Sequence, residues 1–402
     1  MNSKENQRNP QGGMDSVTII CPNLFGSYYD QRNPQYSILK AANSERIPIN
    51  PTSDTGSTIS TKLFDKLNIA REDRDFFGIA IPPIPVENQR HFKWLRDDKL
   101  LKKQVTMENR HHLQVALKIF PNSSLRPKDS VGLRKICYLI KNVIKNNLLK
   151  VSDDLIITLY ALILQSNFGD HRPILDKYAS SYHREDILQI LSEIDVKFHD
   201  LVEEKHISFN KMNSQKAESK FLAYAQKIKF YGIHLFEVNY ERSAMSDLHN
   251  HGHHGTNNHQ SLPNRSLNES IMLGINLEGI LFYDNFNNNN NNRNSIPKND
   301  SKSSLIQWRR IQKLKYRDRE FLIEYHKPMA IQNSNGDENY QTATKLTIVV
   351  DKYKLRNFRL CKDLYFTCIY HHEMFKRTLA TGNYGFGWCI LRKFWRDFVI
   401  IL

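Results

Sequence analysis

The sequence predicts an α+β protein of several lobes, and three observations carry that reading. Near the N-terminus a few short apolar strands surround one helix. Four amphipathic helical stretches then follow one another. A strand-rich segment comes last and closes in one long helix. With 402 residues, 40% of them hydrophobic, the chain has room and apolar content for two to four domains with real cores. A wholly disordered chain is thereby excluded.

Residues 1–14 are polar, rich in Gly, Asn and Gln, and expected to be disordered. Residues 17–20 read as a first strand. Residues 47–49 read as a second, and Pro48 suits a sheet edge. The stretch 24–46 between them shows no regular period. After Gly56, the residues Ile59, Leu63, Phe64 and Leu67 recur at helical spacing. Residues 76–81 and 113–119 are strand-like and complete a unit at 15–120. Its order of two strands, a helix and two more strands is a ubiquitin-like pattern.

The unit 121–230 reads as a helical bundle. Leu133, Ile136, Ile140 and Val143 form one stripe over 131–147. Ser152 is placed to cap the next helix, 155–165, with Asp153 and Asp154 at its positive end. That helix is apolar nearly all round, so it is expected to be central. A third helix is expected over 184–203, from Ile187, Leu191, Ile194 and Phe198. A fourth is expected over 217–229, capped by Ser214, with Phe221, Tyr224, Ala225 and Ile228 inward.

The unit 231–378 has strand patterns at 233–238, 271–275, 280–283, 312–316, 321–325 and 346–350. A final helix over 355–375 has Cys361, Leu364, Tyr365, Cys368, His372 and Phe375 on its inner stripe. Antiparallel strands with one C-terminal helix are a pleckstrin-homology-like sandwich pattern. Two low-complexity inserts, His/Asn-rich at 245–268 and Asn-rich at 285–304, fall between strands, where added loop length is tolerated. The tail 379–402 is aromatic and apolar, too short to span a bilayer, and expected as a docked helix or the stub of a longer protein.

The net charge of +15 invites nucleic acid or an anionic membrane as partner. No base-reading motif is present, and the aromatics fall at core positions, so nucleic acid is not expected. The N-terminus lacks an apolar signal core, which points to a cytoplasmic chain. Five cysteines without a CxxC pair argue against a zinc site or disulfide framework; Cys361 and Cys368 share a helix face but stand about 10 Å apart along its axis. His371 and His372 lack companion ligands or a nucleophile at fixed spacing. No catalytic residue, metal or cofactor is therefore expected.

Several segments together carry a resemblance. In the first unit these are residues 63–69, then Asp75-Phe76-Phe77-Gly78-Ile79, and Trp94-Leu95 with Lys99 and Lys102-Lys103. In the second they are residues 160–170 (Tyr-Ala-Leu-Ile-Leu-Gln-Ser-Asn-Phe-Gly-Asp) and Ala217-Glu218 through Tyr224-Ala225. In the third they are residues 231–236 (Tyr-Gly-Ile-His-Leu-Phe), Trp308-Arg309-Arg310-Ile311, and Cys361-Lys362-Asp363-Leu364-Tyr365 with His371-His372-Glu373-Met374-Phe375. In this order and spacing the chain resembles the FERM domain of the band 4.1, ezrin-radixin-moesin and FERM-containing tyrosine phosphatase group. The resemblance implies a cloverleaf of a ubiquitin-like lobe, a helical lobe like acyl-CoA-binding protein, and a pleckstrin-homology or phosphotyrosine-binding-like lobe. It departs in the long 24–46 stretch, in the start of the second lobe at Asn122 to Pro127, and in both inserts.

Two basic clusters stand out. Arg90, Lys93, Arg96, Lys99, Lys102 and Lys103 lie in the first lobe, and Arg309, Arg310, Lys313, Lys315, Arg317 and Arg319 in the third. Alternation puts Lys313, Lys315 and Arg317 on one strand face. A solvated basic face explains such clusters as readily as attraction to acidic lipid. The resemblance implies Arg96, Lys99, Lys102 and Lys103 as phosphoinositide-binding residues. It also implies a peptide groove between the strand of Lys313, Leu314, Lys315 and Tyr316 and the helix residues Leu360, Leu364, Thr367 and His371. The implied function is a non-catalytic adaptor at the inner face of the plasma membrane. It would hold cytoplasmic tails of membrane proteins and reach cytoskeletal proteins indirectly. The alternative is the targeting region of a FERM-type tyrosine phosphatase.

Overall fold

The structure is a computed structural model that describes residues 16–20, 44–50, 53–81, 93–105, 113–145, 149–171, 187–188, 190–241, 270–283, 303–330 and 344–381. The two inserts up to residue 302, Cys21, Arg90, Cys389 and all of the tail beyond Thr381 lie outside the described residues. The chain divides into two compact units, residues 1–231 and 232–402.

The first unit opens with β1 (Ser16–Ile20), β2 (Ser44–Pro48), α1 (Gly56–Lys66), β3 (Phe77–Ile81), β4 (Lys93–Trp94) and β5 (Leu113–Leu117). They form one sheet in the order β2-β1-β5-β3-β4, with β1 and β5 parallel and the other pairs antiparallel. The edge position of β2 lets Pro48 sit in a strand without losing a ladder bond. Ile59, Leu63 and Phe64 of α1 pack on the sheet with Ile19, Ile79 and Val115. Thr55 starts α1, its Oγ1 accepting from the Thr58 N–H at 3.3 Å. Gly78 leaves room for Trp94, whose ring would lie 2.7 Å from a Cβ there.

Helices α2 (Ser130–Lys145), α3 (Asp153–Phe168), α4 (His199–Ile207) and α5 (Ser214–Ala225) complete the unit. The central α3 is buried along residues 159–165. Three local expectations are corrected. Ser152 precedes α3, but its side chain makes no capping bond. Asn213, not Ser214, caps α5, its Oδ1 accepting from Lys216 N at 2.8 Å. The helix expected over 184–203 breaks. Helical residues end at 191, and Asp195 starts a 3-10 turn, Val196–Phe198, by accepting from Lys197 N. The break turns Glu193 inward to Lys141.

Charged side chains join these helices from inside. Glu218 of α5 takes the Arg134 guanidinium of α2 at 2.6 Å and the Ser166 hydroxyl of α3 at 3.0 Å. Asp73, fully buried, accepts the backbone N–H groups of Lys128 and Asp129 at 2.9 and 3.0 Å, tying the first lobe to the start of the bundle.

The second unit has β6 (His234–Glu241), β7 (Ser270–Ile275), β8 (Gly279–Tyr283), β9 (Ser303–Gln307), β10 (Ile311–Arg317), β11 (Glu320–Ala330), β12 (Thr344–Lys354) and α6 (Phe358–Thr381). The sheet is antiparallel, in the order β10-β11-β12-β6-β7-β8-β9. Among the described residues its two halves join where Lys352, Tyr353 and Lys354 meet Glu241, Tyr240 and Asn239, so the sheet folds over into a sandwich. Strand β9 begins at Ser303, where composition had placed the end of an insert. Phe236, Leu273, Ile280, Phe282, Trp308, Phe321 and Tyr353 fill the core, and Cys361, Leu364 and Cys368 of α6 seal it.

His372 is buried against Trp308, the ring centroids 5.6 Å apart. Burial, helped by Lys376 and opposed by Glu373, lowers its pKa to about 4. The folded state thus keeps this ring neutral, while the unfolded chain protonates it near pH 6.5. Its contribution is fully present above about pH 6.5 and is lost as pH falls toward 4, a change of about 2–3 kcal/mol. Urea melts at pH 7 and pH 4.5 are expected to show that loss in the wild type. A His372→Gln variant should show a correspondingly smaller loss.

Candidate functional site

The loop carrying the first basic cluster is fixed by α1. The Gly56 N–H donates to Lys99 O at 3.1 Å, and Ser57 N–H to Asp97 O at 3.2 Å. Gly56 is required for this approach, because a Cβ there would lie 2.2 Å from Arg96 O. Gln104 closes the loop from the other side. Its Oε1 accepts Arg96 N–H at 2.7 Å, and its Nε2 donates to the carbonyls of Arg96 and Lys99 at 2.9 and 2.8 Å.

The structure brings Arg96, Lys99, Lys102 and Lys103 together on this loop. Their side chains differ in availability. Arg96 donates to both carboxylate oxygens of Asp98, at 3.1 and 2.9 Å. Partial burial acts to raise the Asp98 pKa, but the Arg96 bonds and charge outweigh it and hold it below the usual carboxylate value. Lys99 lies 3.9 Å from the same carboxylate. Lys102 and Lys103 project from the 3-10 turn Leu101–Lys103 into solvent, and neither has an ion-pair partner among the described residues.

In the second unit, β10 ends the sheet. Among the described residues it pairs only with β11, so its other edge offers backbone donors and acceptors. Leu314 faces the core. Lys315 and Arg317 are exposed, and Lys313 shares their side of the strand. Tyr316 enters an aromatic cluster on α6, its ring 4.8 Å from Tyr365, 6.1 Å from Phe358 and 6.5 Å from Phe366.

The helix residues expected for the groove are not grouped around this cluster. Leu364 and His371 are 0% and 1% exposed, and His371 stacks edge-on to His234 at 5.1 Å. Side chains sealed in the core do not select a passing peptide. Leu360 and Thr367 lie on the flank of α6 about half a turn from Phe358 and Tyr365, at about 100° per residue. The helix wall beside β10 is thus Phe358, Tyr365 and Phe366. A second stripe was readable in the sequence, since Phe358, Tyr365 and Phe366 stand at i, i+7 and i+8.

Comparison with known proteins identifies the architecture. Residues 122–236 match the FERM central domain and residues 265–381 the FERM C-terminal PH-like domain. Human band 4.1-like protein 3 is 24% identical over 324 residues, covering 81% of this chain and 24% of that protein. Human tyrosine-protein phosphatase non-receptor type 4 is 22% identical over 80% of this chain and 28% of its own length. The chain thus spans about a quarter of these relatives. Among solved structures, the FERM and C-terminal domain complex of Drosophila Merlin covers 90% of this chain and 98% of its own, at a TM-score of 0.58 and 12% identity. The Dictyostelium discoideum myosin VII MyTH4-FERM MF2 domain covers 91% of this chain and 62% of its own, at 0.51 and 13%. With both domain models matched in order, and the same fold in Merlin, this chain belongs to the FERM-domain proteins.

Proposed function

We propose that this FERM chain is a non-catalytic adaptor that holds the cytoplasmic tail of a transmembrane protein against an acidic phosphoinositide membrane. Cytoskeletal proteins are reached indirectly, at the inner face of the plasma membrane. The open edge of β10 beside the aromatic wall of α6 is the observation that carries this reading. An extended tail adds there as one more strand. Its backbone bonds supply affinity, and Tyr316, Phe358, Tyr365 and Phe366 select its side chains. The loop 96–103 contributes a separate electrostatic attraction, and two weak contacts on one molecule add to useful avidity.

The two flanks of α6 give a direct test. In pull-downs with a panel of cytoplasmic tails, Phe366→Ala is expected to weaken capture about tenfold, the loss of one aromatic anchor. Thr367→Ala, about 100° further round the helix and outside the aromatic cluster, should leave capture unchanged. Equal capture by both variants and the wild type would remove the groove from the proposal.

The likeness to the tyrosine phosphatase supports a second reading, in which this FERM region targets a phosphatase domain. A transcript continuing in frame into a Cys-x5-Arg phosphatase loop would establish it.

A further inference from the structure

Strand alternation assigns apolar residues to the inner face of a sandwich. In the second unit three inward positions break that rule. Ser304 stands opposite Phe282 and shares its face. Lys327 continues the inward set of Phe321, Ile323 and Tyr325 on β11. Asp351 lies two residues from the buried Tyr353 on β12 and is itself buried. Arg310 joins them from the 3-10 turn Trp308–Arg310, which is anchored by the buried Trp308 donating Nε1–H to Asn276 O at 3.0 Å.

These four residues line one cavity of about 230 Å³, whose walls include Phe282, Ile306, Tyr325 and Tyr353. The polar groups are unevenly satisfied. Asp351 accepts the hydroxyls of Tyr353 and Tyr240 at 3.2 and 3.4 Å. The Ser304 hydroxyl is buried without a hydrogen-bond partner. Arg310 and Lys327 are half-buried, and neither has an ion pair among the described residues. Half-buried cations held in no ion pair are costly in a core-facing position, and a fold that keeps two of them beside an orphaned hydroxyl is arranged for an anion.

The charge count sets the kind of anion. Among the described residues that line it, Arg310 and Lys327 against Asp351 leave one formal positive charge in excess. A monoanion neutralises it, whereas a phosphate dianion would add repulsion against Asp351. The apolar walls require an apolar body. We propose that this cavity binds a small monoanionic organic acid, its carboxylate held by Arg310, Lys327 and the Ser304 hydroxyl, its apolar body against Phe282, Ile306, Tyr325 and Tyr353. The site is independent of the lipid loop and of the β10 groove.

Titration calorimetry on the full chain tests this with three probes: benzoate, its neutral isostere benzamide, and inorganic phosphate. Saturable benzoate binding is expected, with both other probes weaker by at least about tenfold, the worth of one charge-assisted contact. Arg310→Gln and Lys327→Gln should each weaken benzoate about tenfold. Asp351→Asn, which removes the opposing charge, should tighten it several-fold. Opposite effects from substitutions in one cavity cannot come from misfolding. Benzamide binding equal to benzoate would leave only an apolar cavity and overturn the proposal. So would phosphate binding tighter than benzoate, or no saturable benzoate binding up to about 10 mM, where affinity is negligible.

Discussion

Replacing Glu193 with alanine is expected to destabilise the first unit by about 3–5 kcal/mol, the cost of leaving one member of a buried ion pair alone. Glu193 and Lys141 lie 3.0 Å apart with side chains 3% and 2% exposed. Lys145 at 3.5 Å and the Tyr160 hydroxyl at 3.3 Å add to the same carboxylate. Without Glu193 the Lys141 ammonium has neither water nor counter-charge. Lys141→Met should cost less, because Glu193 keeps Lys145 and Tyr160. The double variant Lys141→Met with Glu193→Leu should regain most of the loss, since an apolar pair of similar volume avoids desolvating two charges. Guanidinium melts of the four proteins check this order. A loss below about 1 kcal/mol for Glu193→Ala, the worth of an exposed pair, would contradict it.

That pair also shows where sequence reading stops. Ile187, Leu191, Ile194 and Phe198 keep helical spacing straight through residues 192–195, so periodicity alone predicts one continuous helix. The chain breaks there because two interactions outside the periodic pattern win. Asp195 offers its carboxylate to Lys197 N, and Glu193 reaches Lys141, 52 residues earlier. Elements governed by local periodicity were legible, among them α1, α2, α3, and the strands β6, β7, β8, β10, β11 and β12. Strand β4 was not, because two residues, Lys93 and Trp94, show no alternation. Strand β9 was not, because its two serines carry the composition of the preceding loop.

The candidate surfaces were legible as residues but not as geometry. Glu218 stands in a recognisable motif, yet its partners Arg134 and Ser166 come from two other helices. On α6 the sequence shows two candidate stripes, and only the contact of Tyr316 with Phe358, Tyr365 and Phe366 says which one borders β10. The loop 96–103 reads as a run of charges, whereas its shape comes from Gly56 and Gln104.

The shape of that loop governs the second large effect. Neutralising Arg96, Lys99, Lys102 and Lys103 together to glutamine should weaken binding to phosphoinositide-containing vesicles by about 3 kcal/mol, roughly a hundredfold. This follows from about 1 kcal/mol per basic residue near the surface, reduced for Arg96 because Asp98 already holds it. The single variants should therefore rank unequally. Lys102→Gln and Lys103→Gln should each cost more than Arg96→Gln in co-sedimentation at low salt. The differences should shrink as the Debye length falls from about 10 Å at 0.1 M to about 3 Å at 1 M. Gly56→Ala separates charge from shape. It keeps all four cations but drives a Cβ to 2.2 Å from Arg96 O, so the loop must move. If diffuse charge is sufficient, this variant binds vesicles as the wild type does. If the loop presents its lysines in a fixed array, Gly56→Ala loses part of the binding with its charge intact. The bonds from Gly56, Ser57 and Gln104 to the loop backbone favour that second outcome. Vesicle binding unchanged in the quadruple variant would remove the loop from the membrane contact.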